Sequence, residues 1–248
     1  MANLFDFAAV FEQIPDILPY LPTTLGLTVA SMLAATALGL ILAVLKMKEI
    51  PVVKQIINFF ITVIRGTPPI VLLYIAYFGI PMFQKYLALK SGNTYTATAG
   101  NGFVYAVIAL GINQAAYIAE TFRGALLSVG QGQTEAAFAV GMNYFQALRR
   151  IILPEMFTVA LPGLGNAFIG LLKATSLAFA CGVVEITAQG KIIGSRNLRY
   201  FEVYVSLAII YVAMTVIFEQ ILKLIEKRIS IPEQVEVVNR ENAKEAVL

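Results

Sequence analysis

Of 248 residues, 58% are apolar and only 13% charged, against the ~25% charge usual in soluble domains. So little charge cannot clothe that much apolar surface in water, and a disordered chain would show the opposite balance. Without histidine there is no imidazole base or histidine-held metal; a single cysteine, Cys181, forms neither an internal disulfide nor a thiolate cluster, and a net charge of +3 is too slight to point to nucleic acid.

Residues 1–22 hold Asp6, Glu12 and Asp16 but no Lys or Arg, the wrong charge for a cleaved secretory leader. Phe7, Val10, Phe11 and Ile14 recur at helical spacing in a segment that also carries Pro15, Pro19 and Pro22. This predicts a short external amphipathic helix on the outer leaflet. The run 23–45, between Pro22 and Lys46, is the first long enough to cross ~30 Å of hydrocarbon at ~1.5 Å per residue. Its Ala34, Ala35, Ala37, Gly39 and Ala43 suit close packing against a neighbouring helix.

The second run, 56–84, contains Arg65, Gly66, Pro68 and Pro69. Prolines remove backbone donors and bend helices, so either a discontinuous helix lines a site at mid-membrane or a kink merely shapes the bundle. Residues 91–102, rich in Gly, Thr and Asn, read as an outer loop. The third run is 103–122, and the fourth is 157–184, apolar except at Asn166, Lys173, Thr175 and Ser176. The fifth, 203–225, is followed by Glu226, Lys227 and Arg228, and then by a polar tail at 231–248. The expectation is an all-α integral membrane protein with five transmembrane helices over 23–230.

Five spans put the termini on opposite sides. Lys46, Lys48, Lys54, Arg149, Arg150, Lys223, Lys227 and Arg228 collect on one side, against Lys85, Lys90, Lys191, Arg196 and Arg199 on the other. The positive-inside rule then places the N-terminus outside, with the loop after the third span and the 231–248 tail in the cytoplasm.

That loop, 131–154, is too polar to span and too patterned to be a linker. Residues 135–140 form an Ala-rich helical run that Gly141 breaks, and Asn143 with Gln146 has the spacing of an N-cap pair opening a second helix. Pro154 is expected to end that helix before the fourth span.

At these residues the chain resembles the permease subunits of ABC importers. Glu135, Ala136 and Ala137, with Gly141 and the later Ile152-Leu153-Pro154, match their "EAA" signature. Arg65-Gly66-Thr67-Pro68, Ala116 to Glu120 with Arg123-Gly124, Gly132-Gln133 and Lys173 to Leu177 are similar to blocks of the polar amino-acid branch. Phe78-Gly79-Ile80-Pro81 and the stretch from Glu202 to Arg228 look most like permeases for cystine and related sulfur amino acids.

The resemblance implies a type I ABC-importer permease (MetI-like) fold whose cytoplasmic loop is the coupling helix docked on an ATPase subunit. It further implies a second permease subunit, identical or homologous, and an extracellular or periplasmic amino-acid-binding protein. No cofactor is expected. The chain carries no nucleotide loop of its own, because Gly190-Lys191 has Glu185 where the first glycine of a phosphate-cradling loop should stand and Ile192 after the lysine. Hence a non-enzymatic translocating subunit of a bacterial plasma membrane is expected. Glu135 either meets the ATPase or sits at a helix start favoured by the dipole.

Charged and strongly polar residues inside spans are costly and therefore functional candidates. Counted along each span at ~1.5 Å per residue, Arg65, Asn113 and Asn166 all lie ~14–15 Å deep. Asn113, Tyr117 and Glu120 share one face of the third span, and Asn166, Gly170 and Lys173 one face of the fourth. For a zwitterionic substrate, Arg65 or Lys173 could hold the carboxylate, while Thr67, Asn113, Asn166 and Ser176 could give polar contacts. Alternatively the two cations pair with backbone carbonyls or Glu120, and the amides bridge helices.

The most concrete expectation is ATP-driven uptake of L-cystine or a related sulfur amino acid. Alternatives are another polar amino acid (glutamine, glutamate, arginine or histidine) or an ion-coupled secondary transporter. The latter is disfavoured, because Glu120 and Glu219 lie toward the inner ends of their spans and no histidine exists.

Overall fold

A computed structural model describes residues 5–48, 50–92 and 101–229. The expected tail at 231–248 and residues 93–100 of the expected outer loop lie outside these. The described residues form helices α1 (Phe7–Glu12), α2 (Ile14–Ile17), α3 (Leu21–Met47), α4 (Pro51–Gly66), α5 (Pro69–Lys90) and α6 (Gly102–Ser128). After these come α7 (Gln131–Ala139), α8 (Tyr144–Ala147), α9 (Leu153–Ala174), α10 (Ile186–Asn197) and α11 (Tyr200–Ile229). Five stretches among them are long and apolar enough to cross a membrane: Phe7–Met47, Pro69–Lys90, Gly102–Ser128, Tyr144–Cys181 and Tyr200–Ile229.

The expected second span, 56–84, is not one helix. Thr67 (φ −98°, ψ 126°) and Pro68 (φ −57°, ψ 139°) are extended and separate α4 from α5. A residue before proline is pushed out of the helical region, and Pro69, lacking an N–H, suits the first turn of a new helix. The Thr67 hydroxyl donates to the Val63 carbonyl at 2.7 Å, satisfying a group near the break. Sixteen residues of α4 rise ~24 Å, short of a full crossing, so α5 is the apolar span.

α6 is the axis. Its small residues admit close neighbours on several sides, and it meets α3 more extensively than any other helix pair does. Ala35, Gly39 and Ala43 of α3 are buried there, while Ala37 is exposed. A Cβ at Gly39 would come within 2.8 Å of Ile118 Cγ2 and 3.2 Å of the Ala115 carbonyl. On the other sides of α6, Ile57, Ile61 and Ile64 of α4 cover Ala116 and Ala119, and Leu73 and Ala76 of α5 cover Tyr105, Ala106 and Ala109. The start of α6 is backed by the short 3-10 turn Thr175–Cys181, so closely that a Cβ at Gly102 would lie 2.0 Å from the Cys181 carbonyl oxygen.

The described part of the N-terminal segment packs against the bundle. Asp6 caps α1 by accepting from the Ala8 and Ala9 N–H groups, and its other oxygen pairs with Arg199 at 2.8 Å. Ser206 of α11 donates to the Val10 carbonyl at 2.6 Å. Ala9, Val10 and Ile17 are buried, whereas Phe7 and Phe11 remain exposed.

Helix α10 has no counterpart in the sequence-based expectation. Glu185 begins it, wholly buried, accepting from Thr187 N–H at 2.9 Å and Ala188 N–H at 2.8 Å. The Tyr211 hydroxyl of α11 approaches the same carboxylate at 3.4 Å, and Thr24 of α3 receives the Ile186 N–H.

Candidate functional site

Two parts of the molecule carry chemistry that packing alone does not use: the elbow formed by α7 and α8, and a polar seam on the membrane-spanning surface.

The elbow is built by local sequence. Gly141 takes φ +82°, and behind it the Met142 N–H reaches back to the Ala137 carbonyl and the Gly141 N–H to Phe138, each at 3.0 Å. This double closure is how a left-handed glycine ends a helix. Asn143 then opens α8 with a complete capping box, its side chain accepting from Gln146 N–H at 2.9 Å while the Gln146 side chain accepts from Asn143 N–H at 3.0 Å.

Two details differ from expectation. α7 begins at Gln131, so Glu135 lies in its second turn, too far along to act as a helix-start carboxylate. Pro154 does not end the second helix: a π turn, Leu148–Ile152, carries α8 straight into α9, with Pro154 in the first turn of α9. A widened turn tolerates the missing proline donor without a break. Glu135, Ala136, Gly141 and Pro154 are exposed, and Ala137 is buried.

The seam begins at the break after α4. The Arg65 guanidinium carbon stands 4.9 Å from the centroid of the Tyr117 ring of α6, a cation–π pair in which both side chains are exposed. α6 and α9 touch where a Cβ at Gly163 would come within 2.7 Å of Thr121 Cγ2. The two helices run antiparallel, as successive spans must, so one turn along from Thr121 brings Tyr117 level with Asn166 and Ala167. Asn166, Gly170 and Lys173 form an exposed stripe on α9. The Ser176 hydroxyl, half-buried, is turned back to the Lys173 carbonyl at 2.7 Å. Arg65, Tyr117 and Asn166 thus gather at one level, and Lys173 lies two turns farther along the stripe.

Other candidates fall elsewhere. Asn113 is buried beside the seam, and Thr67 is half-buried with its hydroxyl committed to Val63. Glu120 binds Lys46 of α3 at 2.6 Å and Arg123 at 2.8 Å, tying the ends of α3 and α6 together. Lys46 had no assigned role in the sequence beyond its charge. Its partner lies 74 positions away, which no local spacing reveals. Among the described residues, no group of three or more His, Cys, Asp or Glu side chains could hold a metal.

Residues 35–231 match the family of binding-protein-dependent transport system inner membrane components. The chain belongs to that family. It is 43% identical over 230 residues to the "probable amino-acid permease protein YxeN" of Bacillus subtilis, covering 93% of this chain and 98% of that one. The L-cystine transport system permease protein TcyL of the same organism is 37% identical, covering 92% and 93%. The glutamine transport system permease protein GlnP of Escherichia coli is 34% identical, covering 92% and 99%. Among solved structures, a crystal structure of an amino acid ABC transporter with histidines superposes with a TM-score of 0.74 at 35% identity, over 91% of this chain and all of that one. The MetNI methionine ABC transporter, at 19% identity and TM-score 0.68 over 89% of this chain and 99% of that one, shares the fold. The chain is therefore an ABC-importer permease with the type I (MetI-like) fold, a multi-pass membrane protein of an amino-acid transport system. It is not an enzyme; the ATPase is a separate subunit.

Proposed function

We propose that this permease moves a polar amino acid, L-cystine or a related sulfur amino acid, by alternating access driven by ATP. The observation that carries the reading is the seam: Arg65, Tyr117, Asn166 and Lys173 are exposed on a surface whose side chains are mostly apolar. A cation and an amide facing hydrocarbon would each cost kilocalories, so they face a partner or an aqueous path. A second permease subunit, identical or homologous, placed against this surface encloses the path. There Arg65 or Lys173 meets the substrate carboxylate, and Asn166, Tyr117 and the neighbouring Asn113, Thr67, Ser176 and Glu120 line or support the route. The elbow, with Glu135, Ala136, Ala137, Gly141 and Pro154, docks on the ATPase in the cytoplasm, the N-terminus lies outside, and an external binding protein delivers the substrate.

The relatives named for cystine transport support the substrate assignment. A glutamine permease of nearly equal similarity supports a second reading, in which the same seam takes glutamine. The test is to purify the permease with its ATPases, reconstitute it in vesicles, and measure ATP turnover while the binding protein presents cystine, glutamine, glutamate, arginine or histidine. Stimulation by cystine is expected. Stimulation by glutamine alone selects the second reading, and uptake without ATP or ATPase overturns both.

A further inference from the structure

Behind the elbow lies a groove of ≈ 530 Å³, bounded by the ends of α3 and α6 and by the chain running from α7 into α9. Leu40, Val44, Leu126, Ile152 and Met156 give it apolar walls, and the exposed Lys48 and Tyr144 stand among its lining residues as a polar rim. The elbow does not fill this space. Its buried side chains are the alanines Ala137 and Ala147, too small to reach across, and the π turn Leu148–Ile152 forms part of the wall. Such turns are uncommon and favour functional positions.

An apolar groove at the end of two spanning helices has few candidate occupants. Water needs two to four polar partners, and the side chains that could offer them, Lys48, Thr134 and Tyr144, are a minority of the lining residues. Where the groove opens at a membrane boundary, lipid hydrocarbon is the fluid that suits such walls. At the rim, a lysine ammonium and a tyrosine hydroxyl are donors suited to a phosphate at headgroup level, where both side chains favour the interface. Lys46, two residues earlier, is engaged by Glu120, so Lys48 supplies the rim's positive charge. We propose that the groove holds one acyl chain of a phospholipid from the adjoining leaflet, its phosphate bound by Lys48 and Tyr144, and that this chain is the cushion on which the elbow moves. The site requires only that the groove open at a membrane boundary; reversed topology would change the leaflet without abolishing it.

The permease–ATPase complex, reconstituted in vesicles of phosphatidylethanolamine and phosphatidylglycerol, is doped with phosphatidylglycerol carrying a photoactivatable diazirine in its acyl chain, and the adducts are mapped by mass spectrometry. Adducts are expected to concentrate on the segments holding Val44, Leu126 and Ile152. Lys48→Ala should lower them about tenfold, the worth of one charge-assisted hydrogen bond, and Val44→Trp, which fills the groove, should remove them. Adducts spread evenly over exposed faces such as Val212 and Ile217 would mean annular lipid only and overturn the proposal. So would groove adducts that survive Val44→Trp, or crosslinks from the groove to the ATPase or a second permease. The map of the unaltered complex decides by itself, whatever becomes of the variants.

Discussion

At the residue scale, charge placement separates two acids, Asp6 and Glu185, and two cations, Arg65 and Arg199, that the sequence alone would treat alike. Arg65 stacks on Tyr117, and a guanidinium there offers both a planar face and a fork for a carboxylate. Arg65→Lys should weaken substrate-stimulated ATP turnover several-fold, reflecting ~1 kcal/mol of lost stacking, and Arg65→Ala should abolish the stimulation while basal turnover stays. Full stimulation in the alanine variant would remove Arg65 from the path.

The two acids predict opposite pH responses. Arg199, hydrogen-bonded to Asp6, holds that carboxyl below the usual carboxylate range. Its contribution is present above the unfolded pKa and lost as pH falls through the lowered folded value. Burial pushes Glu185 up, even though two backbone N–H groups favour its ionised form. Its contribution is complete below the unfolded pKa and declines as pH rises through the raised folded value. Hydrogen-exchange protection of α1 should therefore fall in acid and lose that dependence in Asp6→Asn. The decline in thermal stability of the detergent-solubilised protein above the carboxylate range should vanish in Glu185→Gln. Glu185→Leu, which removes the cap altogether, should cost about 1–2 kcal/mol of stability.

At the scale of single elements, the elbow is the sharpest case. Gly141 sits at φ +82° with open space around its missing Cβ, so any cost of a side chain is conformational, ~1–2 kcal/mol, plus whatever the docking surface loses. Gly141→Leu should abolish stimulated ATP turnover and leave membrane insertion, measured by fractionation, intact. Unaltered turnover would mean that the elbow does not dock. Asn143→Ala removes the arm of the capping box in which its side chain accepts from the Gln146 N–H and should cost ~1 kcal/mol, seen as faster proteolysis between α7 and α9. These features were legible beforehand because caps and left-handed turns depend on residues within five positions of one another. The break at Thr67–Pro68 was half legible: the prolines announced a discontinuity, but counting apolar residues merged α4 and α5 into one span. α10 was missed because Gln189, Gly190 and Gly194 are buried among its Ile186, Ala188 and Ile193, and this mixture of polar and small residues dilutes the hydrophobic period.

Taken whole, the described residues form an apolar bundle with a polar seam on its surface and an elbow at one end. The five spans and the small-residue packing of α3 on α6 were readable from composition and length, since both follow from what hydrocarbon demands. The seam was readable only as a shared depth. That Arg65 meets Tyr117, and that Glu120 is taken by Lys46, needed the packing of distant helices. The proposed topology can be checked directly, because the chain's one cysteine, Cys181, is buried and gives little labelling background. Single cysteines at Ser91 and Gln146 should react with a membrane-impermeant maleimide from outside and from inside, respectively. The reverse pattern would put the elbow out of an ATPase's reach.

The contact between Gly102 and the Cys181 carbonyl has one more consequence. With main chain seated on main chain, no side chain can rotate aside to let the start of α6 and the end of the 3-10 turn part. At the opposite end, the carboxylate of Glu120 fastens α3 to α6. Pinned in this way at both ends, α3, α6 and the 3-10 turn are bound to swing together as one stiff leaf.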